Sequence, residues 1–216
     1  SSRHFRAWVE SRAELPIEAL ARAWWAEEPA QGKKAVALAF VARDARELVE
    51  LALAAEKSLE EDPAARIAGS DRIFYSALPI GRKGRVAFVF PGSGNQYLGM
   101  GMGVSTQWPE VLRAHDAGNA RLRDQMVPHL LAPWLLGRGP GWEERALERL
   151  VEDHKAMIFG QVSHGTVLSD LVRSFGIEPH AVIGYSLGET AGLFALRVWK
   201  DRDEMLRRMH ASDLFV

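Results

Sequence analysis

The segment Ala181-Val-Ile-Gly184-Tyr185-Ser186-Leu187-Gly188-Glu189 narrows the choice of fold more than any other part of this chain. Four small and apolar residues suited to a strand run directly into Gly-x-Ser-x-Gly, and Ala191 to Leu196 then reads as helix. Strand, sharp turn and helix is the setting of a nucleophile elbow, in which the turn raises the serine hydroxyl above the edge of a sheet. Glycine two positions to either side lets strand and helix approach where a Cβ would collide. The N–H of Leu187 then falls at a helix N-terminus, where it can donate to developing negative charge. The pattern alone fits equally a Gly-rich turn with a helix-capping serine; the flanking strand and helix favour the elbow.

An oxyanion hole needs a second donor, usually from a loop that follows another strand. Arg85-Val-Ala-Phe-Val-Phe90 is a continuous apolar run of the kind a buried parallel strand presents, and it leads into Pro91-Gly92-Ser93-Gly94-Asn95-Gln96. Standing alone, that segment would be a plain Gly/Pro turn.

The rest of the chain divides around these motifs. A helix is expected over 17–26, with Ile17, Leu20, Ala21 and Trp24 at helical spacing, and a strand over 35–41 after Gly32. Asp44 with Glu47 has the form of a capping box opening a helix striped by Leu48, Ala52, Ala55 and Leu59. Pro63 ends it, and 72–78 reads as a second strand. Residues 1–83 are therefore expected to form a small α+β unit, closed by Gly81-Arg82-Lys83-Gly84, with 84–216 as the second region. There, 97–160 reads as helical but interrupted by Pro109, Pro128, Pro133 and the 137–141 glycine loop. A helix over 164–175 should end at Gly176, with His164 at its start.

Composition removes several classes of function. Twenty-seven lysines and arginines balance 28 acidic residues, which gives no electrostatic basis for a nucleic-acid or anionic-membrane partner. Without cysteine there is no disulfide, thiolate zinc site or cysteine nucleophile. No apolar run approaches the roughly 20 residues of a membrane span, and Ser1-Ser2-Arg3-His4-Phe5-Arg6 lacks the apolar stretch of a signal peptide, so a cytoplasmic location is expected. The acidic groups Glu60-Glu61-Asp62 and Glu143-Glu144 read as solvated helix faces and Trp24, Trp25, Trp108, Trp134 and Trp142 as helix packing, and no metal site is expected.

Phe90-Pro-Gly-Ser-Gly-Asn-Gln96 followed by Leu98-Gly99-Met100-Gly101 is similar to the "FPGQGSQ…GMG" opening of malonyl-CoA:acyl-carrier-protein transacylases. Ile177 to Glu189 resembles their "GV.PDAVIGHSLGE" segment, in the same order. Residues 1–83 resemble the α+β linker that precedes acyltransferase domains in polyketide synthases, and Tyr185 and the Gly-Asn-Gln-Tyr sequence resemble the polyunsaturated-fatty-acid-synthase branch. The resemblance implies an α/β fold: a linker unit, then the N-terminal part of an α/β-hydrolase-like core with a parallel sheet. It implies that Ser186 accepts an acyl group from acyl-CoA and passes it to the phosphopantetheine of an acyl carrier protein, with no tightly bound cofactor. Ser93 and Leu187 would supply backbone oxyanion donors, and Gln96, Tyr185 and Glu189 would border the substrate pocket. Partners implied are the carrier protein and neighbouring synthase domains, with a ketosynthase upstream.

Two departures qualify these expectations. The family's general-base histidine lies well beyond the serine, whereas only 30 residues follow Ser186, so the chain reads as a fragment without its base, inactive alone. The family's carboxylate-binding arginine aligns with Ala211, and Arg207 and Arg208 read as a solvated face, which points away from malonyl and toward a monocarboxylic acyl group. A serine hydrolase or thioesterase, and a non-catalytic docking module, stand as alternatives.

Overall fold

The computed structural model describes residues 2–28, 37–64, 67, 71–79, 83–126 and 139–212. Two compact units, Ser1–Gly84 and Arg85–Val216, divide the chain.

The first unit comprises α1 (Ser2–Glu10), α2 (Ile17–Glu27), β1 (Leu38–Phe40), α3 (Ala45–Glu61) and β2 (Ile73–Tyr75). The opening helix α1 is an addition to the sequence reading. Its Trp8 and Val9 are buried with Leu20, Ala45 and Leu48, and Phe5, Trp24 and Phe40 pack around them. Trp24 meets the rings of Phe5 and Trp8 edge-on, with centroids 4.8 and 5.2 Å apart, the offset that aromatic quadrupoles favour. The Trp8 indole N–H donates to Glu27 at 2.6 Å, which satisfies its buried polar atom. Trp25, by contrast, is exposed. The Asp44 carboxylate accepts from the Glu47 N–H at 2.8 Å, so the cap forms, but Glu47 turns to the N–H and guanidinium of Arg43 rather than back to Asp44. That pairing pulls the Glu47 carboxyl down to about 2. Strands β1 and β2 pair antiparallel, Ala39 opposite Phe74. Both are shorter than expected, and residues 32, 35–36 and 81–82 of the sequence reading lie outside the described residues.

The second unit runs β3 (Ala87–Phe90), α4 (Met102–Gln107), α5 (Pro109–Ala117), α6 (Leu122–Gln125), α7 (Trp142–Glu152), α8 (His154–Ser174), β4 (Ala181–Gly184), α9 (Leu187–Ala195) and α10 (Arg202–His210). Pro128, Pro133, Trp134 and part of the glycine loop lie outside the described residues. Strands β3 and β4 are parallel and in register from Ala87 opposite Ala181 to Phe90 opposite Gly184. Parallel neighbours need a long crossover, and α4–α8 supply it. The fold class is thus α/β, as the sequence implied.

Two expectations need correction. Helix α8 begins ten residues before His164, because the Asp153 carboxylate caps it by accepting from the Ala156 N–H at 2.8 Å. His164 is therefore mid-helix and buried, neither capping nor at the surface. It packs with Gly101 beneath its ring. Strand β3 is not buried on both faces within the described residues. Phe88, Phe90 and Val182 pack with Ala191 and Ala195 of α9, whereas Val89 and Ile183 on the other face are 70% and 62% exposed. The apolar run reported the hydrophobicity of both faces, and α9, with Gly165 of α8 against Phe90, covers one.

Candidate active site

The β3/β4 register decides which loops meet. Phe90 and Gly184 end their strands side by side, so 91–96 and 185–188 leave the same sheet edge as neighbours. The Tyr185 N–H reaches the Phe90 carbonyl at 3.4 Å, extending the pairing one step past the strands.

Ser186 sits at φ 53°, ψ −115°, and with Arg197 it is one of two non-glycine residues of positive φ among those described. A side-chain-bearing residue in this region costs of order 1–3 kcal/mol and persists only where its surroundings impose it. Here they do. The Gly188 N–H donates to the Tyr185 carbonyl at 2.9 Å and the Glu189 N–H to the Ser186 carbonyl at 3.0 Å, closing the first turn of α9 around the serine. A Cβ on Gly184 would collide with the backbone of Gly188 and Glu189, and one on Gly188 with the Phe90 carbonyl. The backbone is a strand-to-helix turn with a serine of positive φ at its corner. Ser186 itself is exposed.

Among the described residues, neither the Leu187 N–H nor the Ser93 N–H meets an acceptor. Leu187 is the first residue of α9, so its N–H carries the positive end of that helix dipole. Ser93 stands at the exposed tip of the neighbouring loop. That loop is held internally: Asn95 Nδ2 donates to the Gly92 carbonyl at 2.9 Å, and the Gly94 N–H donates to the Gln96 side-chain oxygen at 3.1 Å. Tyr185 is exposed, and its ring lies on Gly92, where an added Cβ would stand 2.7 Å from Cδ1. Glu189 is exposed on the first turn of α9. Beneath the loop, Gln161 of α8 places its side-chain amide against Gln96 at 2.9 Å. Sequence reading missed Gln161, which no local motif distinguishes from any other helical glutamine.

A cleft of about 440 Å³ opens beside Leu187, Pro91 and Asn95 and runs along Phe88, Leu168 and Val172. Among the described residues its lining includes Gln161 and Ser169 but no charged residue. Ala211, where the resemblance implies an arginine, is the exposed C-cap of α10. Arg207 and Arg208 pair with Glu204 on the solvent side of that helix.

Two of the described histidines are hydrogen-bonded to other groups and a third is buried. His180 Nδ1 accepts from the Val86 N–H at 3.1 Å. His115 Nε2 lies 2.6 Å from Asp170, and its Nδ1 faces the guanidinium of Arg202. His164 is buried, its pKa lowered to about 4 by desolvation. Among the described residues, no group of three or more histidine, aspartate and glutamate side chains is placed to hold a metal ion, and no helix is long and apolar enough to cross a membrane.

No family model matches the chain. It is 34% identical over 118 residues to polyketide synthase GfsE of Streptomyces halstedii, covering 50% of this chain and 3% of that protein. Erythronolide synthase EryA2 of Saccharopolyspora erythraea is 35% identical over 109 residues, or 49% of this chain and 3% of its own length. Orsellinic acid synthase armB of Armillaria mellea is 37% identical over 108 residues, 50% of this chain and 5% of its own. The chain thus spans only a few percent of these multidomain relatives. Among solved structures, the acyl transferase domain of ZmaA superposes with a TM-score of 0.61 at 22% identity, over 92% of this chain and 41% of that one. The acyl transferase domain of SpnD, solved with 2-(pent-4-yn-1-yl)malonyl, gives 0.52 at 23% identity, over 90% and 40%. In sequence the chain is similar to polyketide synthases over about half its length; in fold it is similar to the acyl transferase domains of ZmaA and SpnD.

Proposed function

We propose that the chain carries the nucleophile half of an acyl-transfer site that moves an acyl group from coenzyme A to an acyl carrier protein through an ester on Ser186. The observation that carries this reading is the strained Ser186 turn, set by the β3/β4 register beside a second loop with a free N–H. The Ser186 hydroxyl oxygen attacks the thioester carbonyl while a base takes its proton. The resulting oxyanion is held by the N–H groups of Leu187 and Ser93. Collapse expels the coenzyme A thiolate, which receives that proton, and leaves acyl-Ser186. The carrier phosphopantetheine thiol then attacks the ester by the same route in reverse, regenerating the hydroxyl. A serine hydroxyl needs an adjacent base; His115 and His180 are hydrogen-bonded to other groups and His164 is buried, and in this reading the base is a histidine from beyond Val216. Residues 1–83 serve as the linker unit, and neighbouring synthase domains, a ketosynthase upstream among them, flank the site in a cytoplasmic assembly.

The acyl group is apolar. Among the described residues the cleft beside Leu187 carries no cation to pair with a second carboxylate, and its walls are mostly apolar. The test is loading from a series of acyl-CoAs, read by mass spectrometry of the Ser186 peptide, with imidazole supplied as base or with the polypeptide continued past Val216. An adduct on wild type and none on Ser186→Ala is expected, with acetyl or longer acyl groups loading faster than malonyl. The ester should persist until a carrier thiol is added. Release to water alone would make the protein a hydrolase, no adduct under either condition would leave a docking module, and faster malonyl loading would overturn the apolar assignment.

A further inference from the structure

We propose that Gln161 is the positioning residue that sets the oxyanion loop, through bonds from the middle of α8 to the loop backbone. The inference rests on the acyl-transfer reading of Ser186 and Ser93 but is carried by separate geometry.

The terminal amide of Gln161 meets three backbone groups at once. With its oxygen toward the loop it accepts from the Asn95 N–H at 3.0 Å and the Gln96 N–H at 3.1 Å, while its NH₂ donates to the Gly92 carbonyl at 3.3 Å. The reverse orientation makes one bond, from Nε2 to the Gln96 side-chain oxygen at 2.9 Å, and turns its two ends toward like groups. An amide takes the orientation its neighbours satisfy, and three bonds outweigh the one oxygen–oxygen contact at 2.9 Å that this choice leaves.

These partners flank the loop tip. Gly92 precedes Ser93, and Asn95 and Gln96 follow Gly94, so Gln161 fixes both feet and leaves the Ser93 N–H unpaired between them. Loops ordinarily owe their mobility to a solvent-bonded backbone. Here the anchor stands on the longest helix described, whose neighbours Val162, Ser163 and His164 are buried. On the other side the Tyr185 ring lies against Gly92, so the loop is held between elbow and helix. Oxyanion stabilisation depends on donors already in place, since a donor that must first be ordered returns part of its benefit as entropy. Nothing puts Gln161 in contact with the acyl group's reacting carbonyl; it acts through Ser93.

The experiment compares wild type with Gln161→Met, of similar length but without the amide, and Gln161→Glu, which keeps an acceptor for both N–H groups. Site-resolved hydrogen exchange by NMR is the first readout. In wild type the Asn95 and Gln96 amides should exchange at least about 10-fold more slowly than that of Ser93 in the same loop, as expected of bonded against free N–H groups. Gln161→Met should abolish that difference while leaving the core of α8 protected, and Gln161→Glu should retain it. Equal exchange at Ser93, Asn95 and Gln96 in wild type overturns the anchor without recourse to any variant, including one that fails to fold. Acyl loading is the second readout. Gln161→Met should lower the maximal loading rate about 10- to 100-fold, a part of what loss of a whole oxyanion donor costs, with half-saturation by acyl-CoA changed less than about threefold. Gln161→Glu should recover most of the rate. Lost protection with an unchanged rate overturns the positioning role. No loading by wild type would sink the acyl-transfer reading instead, while the exchange data would still decide the anchor.

Discussion

Gly188 lies with its Cα against the carbonyl of Phe90, so closely that a Cβ built on it would overlap that oxygen and stand 2.8 Å from both the Phe90 carbonyl carbon and the Pro91 oxygen. The end of β3 and the start of α9 touch backbone to backbone, and this contact brings the two loops of the site together. A rigid carbonyl at a strand end cannot yield as a flexible side chain can. Gly188→Ala is therefore expected to cost about 3 kcal/mol or more in urea unfolding, or to prevent folding, at the upper end of overpacking effects. Gly103, in α4, has nothing within 4 Å of its virtual Cβ and ordinary backbone angles. Gly103→Ala should stabilise the protein by up to about 1 kcal/mol through helix propensity alone. Equal effects would show that the Phe90 contact is looser than described.

The strain at Ser186 gives a second prediction. Because φ is 53°, replacing serine by glycine relieves a cost that alanine, which keeps Cβ, does not. Offset by the entropy glycine adds to the unfolded chain, Ser186→Gly should exceed Ser186→Ala in stability by about 1 kcal/mol, while neither takes an acyl group. Paired urea titrations of the two variants make the comparison. Ser186→Ala proving the more stable would mean that the turn is not imposed on the serine by its surroundings.

Features written in local chemistry were legible in advance. Ser186 between its glycines, the apolar run ending at Phe90 and the Asp44 cap each depend on a few adjacent residues, and each has its local structure as read. Features that depend on distant contacts were not. His164 stands at the start of the helix expected over 164–175, and only the cap at Asp153 shows that α8 is already ten residues old there. Gln161 is one polar residue on a mixed helix until the crossover lays it under the loop at Gly92. Val89 and Ile183 are as apolar as any core strand, and which face α9 covers is a property of packing rather than of composition.

The His115–Asp170 pair resembles a catalytic dyad, and its surroundings argue for a structural one. A guanidinium offers only donors, so His115 Nδ1 must accept from Arg202, and Nε2 must carry the proton shared with Asp170 at 2.6 Å. With both ring nitrogens engaged in this way, the imidazole has no lone pair left for a serine. Burial opposes ionisation of Asp170, but the His115 hydrogen bond and the Arg197 charge outweigh it and lower its pKa. Burial also draws the Arg202 pKa down to about 10. Arg202→Met should cost about 1–3 kcal/mol by leaving His115 Nδ1 and Asn119 Oδ1 without their donor, the cost of an unsatisfied buried acceptor. Adding His115→Phe should recover part of the loss, showing non-additivity between contacting residues. In wild type, ¹⁵N shifts should report the Nε2–H tautomer; a charged or Nδ1–H imidazole would contradict the network.

His164 makes stability depend on pH in a definite direction. The side chain is 2% exposed, and among the described residues neither ring nitrogen has a hydrogen-bond partner. Desolvation lowers its pKa to about 4, against about 6.5 for an unfolded histidine. Between those values the unfolded chain binds the proton that the folded chain refuses, so acid favours unfolding. The contribution is fully present above about pH 6.5 and is lost as pH falls through 4, a total on the order of 3 kcal/mol. His164→Met fills similar space, removes the titration and removes two unsatisfied polar atoms. It should match or exceed wild type in stability at pH 7 and pull ahead by about 3 kcal/mol more as pH approaches 4, once the carboxylate titrations common to both proteins cancel in the difference. Urea unfolding of the two proteins at pH 7, 5.5 and 4 measures that difference. Parallel curves would mean that His164 is protonated in the folded protein or reaches a partner there, either of which would also require the ring to leave its packing over Gly101.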